Sequence, residues 1–205
     1  MTYAPDDHPC VVIEAETSVH LAGPVDIAGL EKSMTVSLDG DRLLVDHRLT
    51  NARDEPRTVA PWAITQLRLG GVADLSIGNL DPVGLQADRT LVLWPYTDLT
   101  DPRLSFRSDR VQIQGTPGPA LKLGSGPDPG QLSYALDGWC FSKRLEPTAG
   151  GQFADRGAVG QIFVKDSFLE LETLGPLTVL ERGQSADHRE IWEIAKCEAP
   201  RVLIG

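Results

Sequence analysis

An all-β sandwich is the fold class that this sequence predicts, and three observations carry it. No long stretch places apolar residues at i, i+3, i+4 and i+7 free of Gly or Pro, so an amphipathic helix finds no support. Apolar and polar residues alternate instead in short runs, the period-two signature of a strand with one buried face. Turn-forming clusters separate those runs at short intervals, which suits a sandwich or barrel and not a parallel α/β sheet.

The clearest run is RLLVDHRLT (42–50), where Leu43, Val45, His47 and Leu49 share one face and Asp46, Arg48 and Thr50 the other. Similar strands read at 32–38, 63–69, 90–94, 110–114, 138–145, 159–164 and 188–195, with His20 in a short early strand. Turns are expected at LDGD (38–41), NARDEP (51–56) and GTPGP (115–119), each rich in residues that favour tight reversal. GSGPDPG (124–130) reads as a loop inside one domain, because strand patterns resume directly after it. No helix longer than about three turns is expected.

The 205 residues suit a single domain spanning 1–205, and 41% hydrophobic with 23% charged residues is a composition that can fill a core. The formal charge of -10 and the lack of any run of three basic residues argue against a nucleic-acid partner or an anionic membrane surface. No apolar run approaches the roughly 20 residues that span a bilayer. MTYAPDDHPC lacks the basic and apolar regions of a signal peptide, so a cytoplasmic location is expected. Cys10, Cys140 and Cys197 are odd in number and far apart, and they show no metal-ligand spacing. Three reduced thiols are therefore expected, and no metal or cofactor.

Two stretches carry a resemblance. HRLTNARDEPRTVAPWAITQLRLGG (47–71) runs from a strand through an Asn-led turn with an acidic-Pro tip into a Pro-Trp strand. FVKDSFLELETLGPLTVLERGQSADHREIWEI (163–194) resembles the closing strands of galactose mutarotase-like (aldose 1-epimerase-like) proteins, where a Glu-bearing strand precedes an L-x-x-G-[EQ] turn and a final strand. LVLWPYTDLTDPRLSF (91–106) and LDGWCFSKRL (136–145) are similar to segments of bacterial members. The resemblance implies a β-supersandwich holding a saccharide on a concave face. It also implies a relative shortness at the N-terminus, with one or two opening strands absent. An edge left open in that way favours a homodimer.

In the family a Glu serves as base on the anomeric hydroxyl and a His as acid on the ring oxygen, one group taking a proton while the other gives one. Glu170 and Glu172 alternate with Leu169 and Leu171, so both carboxylates share one face of one strand. The resemblance favours Glu172, in LET, as the base; two solvated carboxylates are the plainer reading. The region matching the family's His-Pro-aromatic stretch reads APWAITQL and holds no His, which points to sugar binding without efficient epimerisation. His188 is an alternative acid because it shares a face with Glu190, Trp192 and Ile194, whereas His47 reads as a core or inter-sheet histidine. An epimerase pairing Glu172 with His188 or Lys143 is one rival, and a non-catalytic interaction protein the other.

Trp62, Trp94, Tyr96, Trp139 and Trp192 are candidates for stacking on a sugar ring, or else for core packing. Lys122, Lys143 and Arg144 could donate hydrogen bonds to ligand hydroxyls or carboxylates. Lys143 shares a face with Trp139, Phe141 and Leu145, so its charge needs a partner, a cleft, or a route along the surface to water. No nucleophile elbow, phosphate loop, zinc helix or dinucleotide fingerprint is present.

Overall fold

The computed structural model describes residues 7–78, 83–85, 87–126, 131–145 and 151–197. In chain order its strands are β1 (Val11–Glu14), β2 (Ser18–Ala22), β3 (Leu30–Asp39), β4 (Arg42–Asn51), β5 (Arg57–Val59), β6 (Trp62–Leu67), β7 (Val72–Ser76), β8 (Leu91–Leu93) and β9 (Leu104–Phe106). There follow β10 (Arg110–Gln114), β11 (Leu121–Ser125), β12 (Gln131–Leu136), β13 (Trp139–Leu145), β14 (Gly160–Lys165), β15 (Phe168–Leu174), β16 (Thr178–Leu180) and β17 (Ser185–Lys196). Among the described residues the only helical element is a short 3₁₀ turn at Asp155–Gly157. Among the described residues no helix is long and apolar enough to cross a membrane.

The strands form a ten-stranded sheet in the order β1-β2-β3-β4-β17-β13-β12-β7-β10-β9 and a five-stranded sheet in the order β6-β15-β14-β11-β8. A two-stranded ribbon joins β16 to β5. The pairings are antiparallel throughout, with β10, for example, running from Arg110 opposite Ser76 to Gln114 opposite Val72. The all-β expectation therefore holds, and every strand expected from alternation lies within or across an observed one.

The two large sheets pack face to face. Leu75, Val111, Ile113 and Leu132 from the larger sheet meet Leu121, Leu123, Ile162, Leu169 and Leu171 from the smaller, all at most 1% exposed. That apolar cluster covers one end of the sandwich. Toward β6, β4 and β17 the space between the sheets turns polar, with Lys143, Glu190, Thr173 and His188 buried there.

The Asn-led turn has a physical explanation. Asn51 is fully buried, and its Nδ2 donates to the carbonyls of Glu55 and Leu180, both at 2.9 Å. Its Oδ1 accepts the Arg53 N–H at 3.0 Å. One side chain thus closes the turn and ties it to β16, fixing the direction in which the chain enters β6.

One expectation is overturned. Cys140 and Cys197 form a disulfide with Cα atoms 5.7 Å apart, and Cys10 alone is a free thiol. The cause is strand pairing that spacing does not reveal: β13 lies against β17 with Cys140 opposite Ala195, and Cys197 follows directly beyond Lys196. The Cys197 N–H closes onto the Gly138 carbonyl at 3.1 Å, holding the two ends together. A reducing compartment, inferred from three free thiols, loses that support. The loop expected at 124–130 falls in part on β11, which continues to Ser125, and residues 127–130 lie outside the described residues.

Candidate functional site

Because side chains alternate along β15, Leu169 and Leu171 enter the core while Glu170 and Glu172 stand on the outer face of the five-stranded sheet. Directly opposite partners in a ladder share a face, so Gln161 and Ile64 flank Glu172, and Phe163 and Gln66 flank Glu170. Lys122 of β11 reaches across β14 to the same place.

Glu172 sits at the centre. It is 1% exposed, and its Oε2 accepts from Trp62 Nε1 at 2.7 Å and from Lys122 Nζ at 2.6 Å. The Lys122 ammonium also lies over two rings, 5.1 Å from the Trp62 centroid and 4.7 Å from that of Trp94. A buried carboxylate needs this company, since charge out of water is tolerated only when paired and hydrogen-bonded. Trp62 and Tyr96 are each 47% exposed, so the rim of the patch stays open to solvent.

The loop after β8 is pinned where it delivers Trp94 and Tyr96. The Thr97 hydroxyl donates to the Lys122 carbonyl at 2.5 Å and accepts the Lys122 N–H at 3.2 Å. Farther along, buried Arg103 grips Asp101 through two nitrogens and donates to the Pro119 carbonyl. Trp94 comes close to the sheet because residue 124 is Gly: a Cβ there would lie 3.3 Å from the Trp94 ring and 2.6 Å from the Ala158 Cβ.

The acidic groups act on one another and on Tyr96. Burial raises the Glu170 carboxyl above its ordinary value and the charge of Glu172 adds to the effect, against a weak hydrogen bond from Gln66. Burial, followed by the charges of Glu172 and Glu170, raises the Tyr96 hydroxyl, which therefore remains a donor at neutral pH. Gln161 is fully buried beside Glu172; its Nε2 donates to Asp155 and to the Ala158 carbonyl, while its Oε1 has no partner among the described residues.

Four of the sequence candidates go elsewhere. Lys143, His188 and Trp192 belong to a second cluster between the sheets, organised by Glu190. Lys143 Nζ lies 2.7 Å from Glu190 Oε1, with Thr65 Oγ1 at 3.1 Å. The Lys143 side chain is fully buried, so it has a partner and does not run along the surface to water. His47 Nε2 and Trp192 Nε1 reach Glu190 Oε2 at 3.3 and 3.0 Å, and the Thr173 hydroxyl donates to Oε1. His188 Nε2 pairs with Thr173 Oγ1 at 2.9 Å.

Thr173 and Glu172 are neighbours on β15 and face opposite ways, so the strand separates His188 and Lys143 from Glu172. The structure therefore does not bring the expected acid to the expected base. Trp139 is half exposed at the far end of β13, under the Lys196 ammonium at 5.6 Å, and belongs to neither group. Glu190 and Gln161 escaped sequence reasoning. Glu190 shares the His188 face in the alternation, which was the one signal available.

The buried groups carry a pH signature. Burial would raise the Glu190 carboxyl, but hydrogen bonds from His47, Lys143 and Thr173 and the Lys143 charge outweigh it and hold the group at about 2. Burial lowers His188 to about 4, against the pull of Glu190. Both folded-state values lie below the unfolded ones of 6.5 and 4.5, so each group's stabilisation is complete above its unfolded value and lost as pH falls. Urea midpoints should hold level just above pH 6.5, fall between about 6.5 and 4 through His188, and fall further toward 2 through Glu190. His188→Asn should flatten the first decline; an unchanged profile would contradict the assignment.

No family model matches this sequence, and no curated protein matches it. Solved structures do. A candidate aldose 1-epimerase from Escherichia coli K12 aligns with a TM-score of 0.55 at 15% identity, over 92% of this chain and 68% of its own. The Slr1438 protein from Synechocystis sp. PCC 6803 aligns at 0.58 and 12% identity, over 92% of this chain and 66% of its own. A galactose mutarotase-like protein from Lactobacillus casei ATCC 334 gives 0.54 and 14%, over 92% and 74%. This chain thus spans about two thirds to three quarters of the length of those structures. At such identities the likeness concerns architecture, and on architecture it agrees with the sheets described above: the chain has the galactose mutarotase-like fold.

Proposed function

We propose that this protein binds a saccharide on the outer face of its five-stranded sheet, centred on Glu172, without efficient anomer interconversion. The observation that carries the reading is a buried carboxylate held by Trp62 Nε1 and Lys122 Nζ beneath half-exposed Trp62 and Tyr96 rings. Aromatic faces suit the C–H surface of a pyranose, and convergent polar groups fix its hydroxyls. Here Glu172 accepts, while Lys122 and Tyr96 donate. The sugar ligands of the structural relatives' names agree with this reading at the level of fold.

Catalysis is a separate matter. The His-Pro-aromatic stretch is replaced by APWAITQL, and His47 and His188 bond to the Glu190 cluster on the other side of β15. Lys122 is engaged with Glu172, and the raised Tyr96 hydroxyl is a poor acid. General-acid help is worth about 10²–10⁴-fold, so the pair expected of an epimerase is half absent. Calorimetric titration with hexoses, uronic acids and sugar phosphates should show millimolar or tighter binding that Glu172→Ala abolishes. Polarimetry on fresh α-glucose and α-galactose should stay near the buffer rate. No binding across the panel would favour an interaction protein, and rapid mutarotation would contradict the loss of catalysis.

A further inference from the structure

Trp62 borders two spaces. Its Nε1 meets Glu172 on the outer face, and it also walls a cavity of about 460 Å³ between β6 and strands β2 to β4. Ile64, Leu21, Met34 and Leu49 give this cavity apolar walls, and His8, Asp26, Lys32, Ser33, His47 and Arg48 supply polar groups. Its volume falls within the roughly 300–1,000 Å³ of small-molecule sites, and apolar walls with polar side chains among them suit a sugar ring, which has both kinds of surface.

His47 is held by a built support. Its Nε2 lies 3.3 Å from Glu190 Oε2, and Glu190 is itself buried and bonded to Lys143, Thr173 and Trp192. An ionised carboxylate only accepts, so Nε2 carries the proton of this contact and the imidazole is fixed in orientation. In the neutral ring Nδ1 is left as an acceptor for a hydroxyl.

We propose that the ligand runs past Trp62 into this cavity, with one sugar ring at Glu172 and the next beside His47. The substrate class is then an oligosaccharide of two or more rings, not a free monosaccharide. This rests on the saccharide reading of the Glu172 face. Gly23 offers a means of testing it: it lines the cavity, and an added Cβ meets nothing closer than the Lys32 carbonyl at 3.6 Å. Gly23→Phe therefore fits the backbone while taking space from the second ring.

Calorimetry should compare glucose with maltose and cellobiose, galactose with β-1,4-galactobiose, and galacturonate with its dimer. At least one dimer should bind tenfold or more tighter than its monomer, and Gly23→Phe and His47→Ala should each bring that ratio close to one. Thermal melts of both variants verify folding, with Gly23→Phe as the version that leaves the Glu190 network whole. Monomers binding as tightly as dimers would overturn the two-ring proposal while leaving the sugar reading intact. A dimer preference that survives Gly23→Phe would also overturn it. Absence of any binding would remove both proposals together.

Discussion

Lys143→Ala should destabilise the protein by about 3–5 kcal/mol, the cost of leaving one partner of a buried ion pair uncompensated. Glu190 would remain in the sandwich with its charge, still bonded to His47, Thr173 and Trp192 but no longer facing an ammonium 2.7 Å away. In a chain of this size each kcal/mol moves the melting temperature by about 2–4 °C, so a fall on the order of 10 °C is expected. Lys143→Met with Glu190→Leu removes both charges and should recover much of the loss, because burying the pair was itself costly. Urea denaturation of Lys143→Met, Glu190→Leu and the double variant measures the coupling directly. A Lys143→Ala loss below about 1 kcal/mol would show that the pair is not buried as described.

Cys140→Ser should cost about 2–4 kcal/mol, since the bridge closes a long segment, with a sequence separation of 57, in the unfolded chain. The stabilisation acts mainly on the unfolded state, so reduction of the wild type should lower the melting temperature by a similar amount and leave Cys140→Ser unaffected. Thiol titration of the denatured, unreduced protein should return one thiol, from Cys10. Three thiols, together with a melting temperature indifferent to reductant, would restore the expectation of free cysteines.

The fold was legible because alternation is a local signal. RLLVDHRLT and LELET show their faces in the sequence, and the structure places Val45, Leu169 and Leu171 inward with Glu170 and Glu172 outward. β1, β5, β7, β9, β11, β12 and β16 were not read as strands; β5, β9 and β16 are only three residues, too short for a period to repeat, and β11 is buried on both faces, so it shows no alternation. The site was legible in part. Glu172 stood out through LET, and Trp62, Trp94 and Lys122 through their chemistry, but their convergence depends on β6, β11 and β15 becoming neighbours or near-neighbours in one sheet. The same non-local pairing hid the Cys140–Cys197 bridge and concealed that Lys143, His188 and Trp192 share Glu190. Alternation set Lys143 on an apolar face with Trp139, Phe141 and Leu145, but its partner Glu190 arrives only through the pairing of β13 with β17.

Four tryptophans give the central claim its most direct measurement. Their indole N–H resonances, assigned through single Trp→Phe variants, can be followed by nitrogen-edited NMR during addition of glucose, galactose and galacturonate. Trp62 should move most, because its Nε1 proton rests on Glu172 at 2.7 Å, where the sugar would sit. Trp94 should follow, since it stacks over the same Lys122 ammonium. Trp139 should stay fixed, and Glu172→Ala should abolish the Trp62 and Trp94 shifts. Movement of Trp139 with Trp62 unmoved, or no shift in any of the four at saturating monosaccharide, would contradict a sugar site centred on Glu172.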